Sequence, residues 1–291
     1  MLRVMPYVAQ EECFALKGGT AINFFLRDMP RLSVDIDLCY LPIQPREESL
    51  AGIGQALDRI KEKTEKGVSG TAVRTGRYQE RTSKLFVRGP DAEVKIEPNF
   101  VIRGSLNPTA ERDLCPAARE RFEVAVRIRT LSDADVYGGK LCAALDRQHP
   151  RDLFDVKVLL EHEGITSEIR KSFLIHLISH DRPMNELIEP NRKDVRVEFD
   201  ADFQGMRADE VSYESLVQAR ETLIAAIHGG LTSEEKRFLI SMKEGEPDWG
   251  LLGVPGVETL PAVQWKLRNI GKMSDAKRKE QLERLREKLK I

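Results

Sequence analysis

Two hydrophobic rhythms divide this chain. In the first part, apolar residues alternate with polar ones in short runs, the period of a half-buried strand. Residues 14–16 form an apolar run that stops at Lys17-Gly18-Gly19, which reads as a strand ending in a tight turn. Residues 21–28, AINFFLRD, follow as a helix, with Thr20 placed to cap it and Met29-Pro30 to end it. From 32 to 41 the alternation predicts a strand with Val34, Ile36 and Leu38 on one face and Ser33, Asp35 and Asp37 on the other. Residues 47–63 have the spacing of an amphipathic helix. Strands are expected at 71–78, 84–88, 93–97 and 124–128, with Gly89-Pro90-Asp91 as a turn between the second and third of these.

Past Leu131 the period lengthens to that of a helix. Ser132 is placed to cap a helix running to 146, with Asp133 and Asp135 in its first turn, where the helix dipole favours acids. Pro150 opens a second helix over 151–163, and helical spacing continues over 168–180, 213–228, 233–243, 260–269 and 275–290. Residues 194–203 read instead as a short strand or an extended loop. The expected class is α+β: a mixed-sheet domain over residues 1–130, then a helical domain over 131–291.

A chain of 291 residues is long enough for two cores. The formal net charge of -1 excludes a global basic signature for nucleic acid and leaves only local patches. Arg74, Arg77, Arg81, Lys84 and Arg88 around the sheet domain are the best candidate patch. The four cysteines form no CxxC pair and sit in or near apolar runs, as expected of reduced, buried thiols in a cytoplasmic protein. The opening residues lack the pattern of a secretory signal, and no apolar run reaches the ~20 residues of a membrane helix, so no membrane partner is expected.

Asp35 and Asp37 raise a chemical question. Aspartate is a poor strand former, and two carboxylates on one face repel unless a cation sits between them. Mg2+ suits them, since it takes hard oxygen ligands and keeps phosphate oxygens as partners. Gly18 and Gly19 precede a helix N-terminus, where free N–H groups attract phosphate and the missing Cβ allows close approach. Gly18, Gly19, Thr20 and Ser33 are therefore candidate phosphate contacts, and Asp35 and Asp37 candidate metal ligands. On the strand AEVKIEPNF, Glu97 shares a face with Glu93 and Lys95 and is the candidate third ligand of a two-metal site. In YGGKLCAALDRQHPRDLFDVKVL, Lys140 is one basic residue among apolar neighbours, suited to a triphosphate. Asp152 and Asp155 lie three apart on the next helix and can share a face. A salt-bridge network is the alternative for these three.

KGGTAINFF followed by RLSVDIDL resembles the first signature of the nucleotidyltransferase superfamily that includes DNA polymerase β. With GGKLCAALDRQHPRDLFD and the tail phrase LPAVQWKLRNI, the chain is similar to the AbiEii/AbiGii (MenT-like) toxin nucleotidyltransferases from about residue 14 to 270. The resemblance implies a polymerase β-like nucleotidyltransferase domain followed by a helical domain, acting as a monomeric cytoplasmic toxin of a type IV-like toxin–antitoxin or abortive-infection system. It implies a cognate antitoxin, often AbiEi-like. It implies Mg2+-dependent transfer from an NTP, with CTP or another pyrimidine nucleotide favoured and GTP possible, to the 3′ end of tRNA, which blocks translation. Carried onto this sequence, Ser33 and Asp35 are the hydroxyl and acid of the first motif and Asp37 is the second acid. Lys140 is the motif lysine and Asp155 the late acid, with Asp152 competing for that role. Pro98, directly after Glu97, departs from the family's pattern. Two other readings stay open: a nucleotidylyltransferase acting on protein, and a non-catalytic GTP-binding interaction protein.

Weaker signals are read structurally. His176 and His180 have metal-ligand spacing but no third ligand nearby. Trp249 and Trp265 are expected in core or groove positions, and the stripe Leu282, Leu285 and Leu289 is expected to pack the last helix.

Overall fold

The structure is a computed structural model that describes every residue except Asp91, Ala208 and Asp209. Asp91 of the expected Gly89-Pro90-Asp91 turn therefore lies outside the described residues. The chain divides into two compact units, Met1–Val136 and Tyr137–Ile291.

The first unit is built on a seven-stranded mixed sheet in the order β3-β4-β5-β2-β1-β7-β6. Its strands are β1 (Phe14–Lys17), β2 (Asp35–Tyr40), β3 (Ala72–Tyr78), β4 (Arg81–Arg88), β5 (Glu93–Pro98), β6 (Ala110–Asp113) and β7 (Arg127–Thr130). Parallel pairing joins β2 to β5 and β1 to β7, and the other neighbours are antiparallel. Its helices are α1 (Met5–Ala9), α2 (Gly18–Ala21), α3 (Arg46–Gly67) and α4 (Pro116–Phe122), and α5 (Asp133–Asp146) begins in it. The helix α2 runs directly into one π turn, Ile22–Leu26.

One face of the sheet carries the core. Ile36, Leu38, Leu85 and Ile96 are fully buried on it. The helix α3 packs against β4 and buries Leu50, Ile53, Leu57 and Ile60, the three-and-four spacing of an amphipathic helix. Glu47 and Glu48 sit in its first turn, where the dipole favours them. Along β2 the burial alternates through Asp35, Ile36, Asp37 and Leu38, as the sequence predicts. Val34 lies outside the strand and is exposed, so it does not join the apolar face. The last predicted strand is displaced, to Arg127–Thr130, and β6 and α4 have no counterpart in the sequence expectation.

The second unit is helical: α6 (Pro150–His162), α7 (Ser167–Ser179), α8 (Met184–Ile188), α9 (Arg196–Glu198), α10 (Tyr213–Gly230), α11 (Ser233–Glu244), α12 (Trp249–Leu252), α13 (Pro261–Gly271) and α14 (Asp275–Leu289). Side-chain caps define several starts, among them Thr166, Ser212 and Ser274, and Thr232 with Glu235 forms a capping box. The helix α6 packs on α10, α7 on α13, and α11 on α14, whose Leu285 and Leu289 are buried. Residues 194–203 are not strand or loop: α9 continues into a π turn, Phe199–Phe203. The tail phrase is largely structural. Lys266 is buried and donates to the carbonyls of His180 and Arg182 at 2.6 and 2.5 Å, just past the end of α7. Among the described residues, no helix is long and apolar enough to cross a membrane. All four cysteines are free; Cys39, Cys115 and Cys142 are buried, and burial pushes the Cys39 thiol up to about 11.

Candidate active site

The register of the sheet assembles one charged face. Across β2 and β5, Asp35 pairs with Lys95 and Asp37 with Glu97; across β1 and β2, Lys17 pairs with Asp37. Residues opposite each other in a ladder point to the same side. Asp35, Asp37, Glu97, Lys17 and Lys95 therefore share the face opposite Ile36 and Ile96. Lys84 on β4 joins them, with its Nζ 3.3 Å from Glu97 Oε1, and Lys95 Nζ lies 2.8 Å from Glu97 Oε2. Burial alone would raise the Glu97 carboxyl, but Lys95 and Lys84 outweigh it and hold the group below its ordinary range. Burial opposes the charge on Lys95, and the hydrogen bond and charge of Glu97, with the fields of Asp35 and Asp37, outweigh it and raise its pKa.

The glycine turn lies against this face. Gly18 has φ +69°, a left-handed conformation that favours glycine, and a Cβ there would come 2.7 Å from Asp37 Oδ2. At Gly19 a Cβ would meet Arg31 Nη2 at 2.7 Å and Ser33 Oγ at 3.5 Å. The two glycines let the backbone close on Asp37 and on the Arg31–Ser33 segment respectively. Arg31, buried beside Gly19, is a cation that the sequence reading passed over.

Thr20 is not the helix cap. The N-cap is Lys17, without a side-chain bond, and Thr20 lies inside the first turn. Its buried hydroxyl is bonded to Ser33 Oγ at 2.8 Å and to the main-chain oxygen of Asp35. The hydroxyl of Thr20 therefore faces the strand rather than the open end of the helix, and it ties the glycine turn to the start of β2. Ser33 precedes the strand instead of lying on it.

Two carboxylates on one strand face, one of them touched by a glycine turn, fit a magnesium ion that takes one or two carboxylates and completes its shell with phosphate and water. Glu97, the expected third ligand, is engaged by Lys84 and Lys95, and among the described residues no three His, Cys, Asp or Glu side chains are grouped to hold a metal ion. A surface cavity of about 450 Å³ opens beside this face, lined by Lys17, Asp37, Lys84, Glu97, Tyr78 and Phe100 among others. Tyr78 and Phe100 stand with ring centroids 5.9 Å apart. The basic patch is real as a cluster but largely paired: Arg74, Arg77 and Arg81 face Glu93, Glu80 and Glu47. Arg74 also stacks on Phe86 at 3.9 Å.

The second constellation lies within the helical unit. Ser132 Oγ accepts from Asp135 N at 3.1 Å as α5 starts, and Lys140 follows on that helix. Its Nζ lies 2.7 Å from Asp152 Oδ1 and 3.0 Å from Asp155 Oδ2, with all three side chains buried. The three-residue spacing puts both acids on one face of α6. His149 caps α6 by accepting from Arg151 N at 3.2 Å. Arg147 Nη2 reaches the other Asp152 oxygen at 2.8 Å. Burial would raise the Asp152 carboxyl, but Lys140 and then Arg147 outweigh it and hold the group down at about 2.

Three comparisons bear on this arrangement. No curated protein matches the chain. Among solved structures, the MenT4 nucleotidyltransferase toxin of Mycobacterium tuberculosis H37Rv is similar in fold, with a TM-score of 0.61 at 15% identity, over 92% of this chain and 90% of that one. The model of a family described as the nucleotidyl transferase AbiEii toxin of type IV toxin–antitoxin systems matches residues 1–269, which takes in the glycine turn, the paired aspartates and the buried lysine alike. The chain thus belongs to the AbiEii family of nucleotidyltransferase toxins.

Proposed function

We propose that this protein is a metal-dependent toxin that transfers a nucleotide from an NTP to the 3′ end of tRNA and so blocks translation. The reading rests on one observation above the others: Asp35 and Asp37 share a strand face, and the backbone of Gly18 comes so near Asp37 that a Cβ there would lie 2.7 Å from Asp37 Oδ2. In the reaction, the 3′-hydroxyl oxygen bonds to the α-phosphorus, the bond from that phosphorus to the bridging oxygen of pyrophosphate breaks, and the hydroxyl proton is released to a carboxylate or to water. Asp35 and Asp37 would hold Mg2+, which would offset triphosphate charge and favour ionisation of the hydroxyl. The N–H groups of Gly18 and Gly19 bind phosphate at the start of the helix, and Ser33 donates beside them. Thr20 positions Ser33 and the start of β2. Lys140, held between Asp152 and Asp155 in the helical unit, is proposed to serve the reaction as the motif lysine of the family. The cognate antitoxin that the family implies is proposed to be AbiEi-like, and the toxin to act as a cytoplasmic monomer.

The test is to incubate the protein with each α-labelled NTP, magnesium, total RNA and cell protein. Label on tRNA with release of pyrophosphate supports the reading. Label on protein, or nucleotide binding without transfer, overturns it in favour of a protein-modifying enzyme or a non-catalytic nucleotide binder.

A further inference from the structure

Arg103, in the segment between β5 and β6, is a charge for which no described residue supplies a carboxylate. It is 4% exposed, and its Nε and Nη1 are buried with no hydrogen-bond partner among the described residues. Burying a guanidinium in this way is costly unless something completes it. Its surroundings add to the cost: burial and then the neighbouring Arg46 lower its pKa, with only Tyr40 acting the other way. The segment that carries it is well ordered by hydrogen bonds. Asn99 Oδ1 accepts from Val101 N at 2.9 Å and Ile102 N at 2.8 Å, and Gly104 N donates to Tyr40 O at 2.8 Å.

Around Arg103 the features are those of an anion site. Arg46 is the first residue of the 22-residue helix α3, whose N-terminus has no side-chain cap. Such an end carries partial positive charge and free N–H groups. The acid nearest in sequence, Glu47, is engaged by Arg81 at 2.9 Å, and Glu48 is exposed. Arg46 Nη2 lies 3.5 Å from the hydroxyl of Tyr78, whose ring lines the cavity with Phe100. Two guanidinium groups, an uncapped helix start and an aromatic pair thus occupy one corner of the sheet unit.

The position decides which anion. Tyr40 follows Asp37 by three residues along β2, roughly 10 Å at strand rise, and falls on the opposite face by alternation. Tyr78, which lines the cavity beside Asp37, links the two places, with Arg46 Nη2 3.5 Å from its hydroxyl. A polymer with phosphates at regular intervals suits two anion sites on different faces of one strand better than a single triphosphate does. We propose that Arg103 and Arg46 hold a backbone phosphate of the RNA strand whose 3′ end is the acceptor, with a neighbouring base against Tyr78 and Phe100. This rests on the reading of RNA as acceptor.

Arg103→Met keeps the volume and removes the charge, and Arg46→Ala changes an exposed side chain that folding does not need. The probe is a 5′-fluorescent single-stranded RNA of twelve nucleotides with a free 3′-hydroxyl, titrated on the full chain at several salt concentrations. A fluorescent NTP and thermal melting are measured in parallel. Each variant should lose about tenfold or more in RNA affinity, with the salt slope reduced by about one, while NTP binding is unchanged. Arg103→Met should melt at the same temperature or higher, because an uncompensated buried charge has gone. Unchanged RNA affinity and slope in both variants overturns the site, as does a loss confined to NTP binding, which would assign these arginines to the triphosphate. A parent protein that fails to label RNA overturns the functional reading separately, since the binding comparison does not depend on transfer.

Discussion

Asp37 on β2 stands opposite Glu97 on β5 in a parallel register, and the repulsion between them is offset by Lys84 and Lys95, at 3.3 and 2.8 Å from Glu97. The aspartates themselves remain the donors a cation would use. Asp35→Asn and Asp37→Asn should each lower transfer by about a hundredfold or more, since each removes charge that acts on the reacting phosphate. Each change leaves Lys17, Lys84 and Lys95 facing one carboxylate fewer, so any loss of melting temperature should be small beside the loss of rate. Transfer and melting are measured on the same preparations, and activity within tenfold of the parent in either variant would sink the metal-site assignment.

Glu97 is expected to behave differently. Glu97→Gln frees Lys84 and Lys95 to turn toward Asp35 and Asp37, where they compete with a cation. The magnesium concentration for half-maximal rate should rise several-fold, with the rate at saturating magnesium nearly restored. A rate that stays low at every magnesium concentration would instead make Glu97 a direct ligand.

Much of this arrangement was legible in the sequence because period two fixes faces: Asp35 and Asp37 had to share a side once Ile36 and Leu38 were buried. The partners across the ladder were not legible, since register depends on the turn and on the neighbouring strand. That is why Lys95 and Lys17 were missed as neighbours of the aspartates, and Arg31 and Arg103 altogether. Residues 194–203 failed for a specific reason. Val195, Val197 and Phe199 alternate, but Val195, Phe199 and Phe203 also recur every fourth position, and it is this second set that is buried while Val197 is 77% exposed. Thr20 reads as a cap in the sequence because hydroxyl residues favour that place. The buried contact to Ser33 and Asp35 is tertiary and leaves no local signal.

Gly18→Ala tests the close approach. At φ +69° any side chain is strained, and the new Cβ would sit 2.7 Å from Asp37 Oδ2, so Asp37 must move. The strain should cost more than about 1 kcal/mol of stability. Transfer per folded molecule should fall well beyond that loss, because the displaced atom belongs to a metal-binding carboxylate. Gly70, also at positive φ but with nothing within 4 Å, is the control: Gly70→Ala should destabilise and leave the rate alone. Equal rate losses in both would remove the argument from Asp37.

The buried pair of Lys140 and Asp152 predicts opposite pH trends from its two halves. Asp152 is held at about 2 by Lys140 and Arg147, against ~3.9 for an aspartate in an unfolded chain. A group whose pKa is lower in the folded state binds fewer protons there, so its contribution is complete above about pH 4 and is lost as pH falls toward 2. About two pK units correspond to roughly 2–3 kcal/mol. The difference in urea-unfolding free energy between the parent and Asp152→Asn should therefore be largest at neutral pH and shrink as pH falls through 4 to 2. Lys140→Met leaves Asp152 and Asp155 buried without their shared cation, which should cost about 3–5 kcal/mol at pH 7. With the lysine gone, only Arg147 is left to oppose the effect of burial on the Asp152 carboxyl, and protonation relieves the cost. Lys140→Met should thus gain stability relative to the parent as pH falls from 7 to 5, where Asp152→Asn shows little change. Parallel profiles in the two variants would show that the lysine and the aspartate are not one charged unit. Rate separates structure from chemistry: a lysine that serves the triphosphate takes transfer per folded molecule down with it at the pH of best stability, and Lys140→Arg restores only part, because the wider, planar guanidinium does not present its charge as the compact ammonium does.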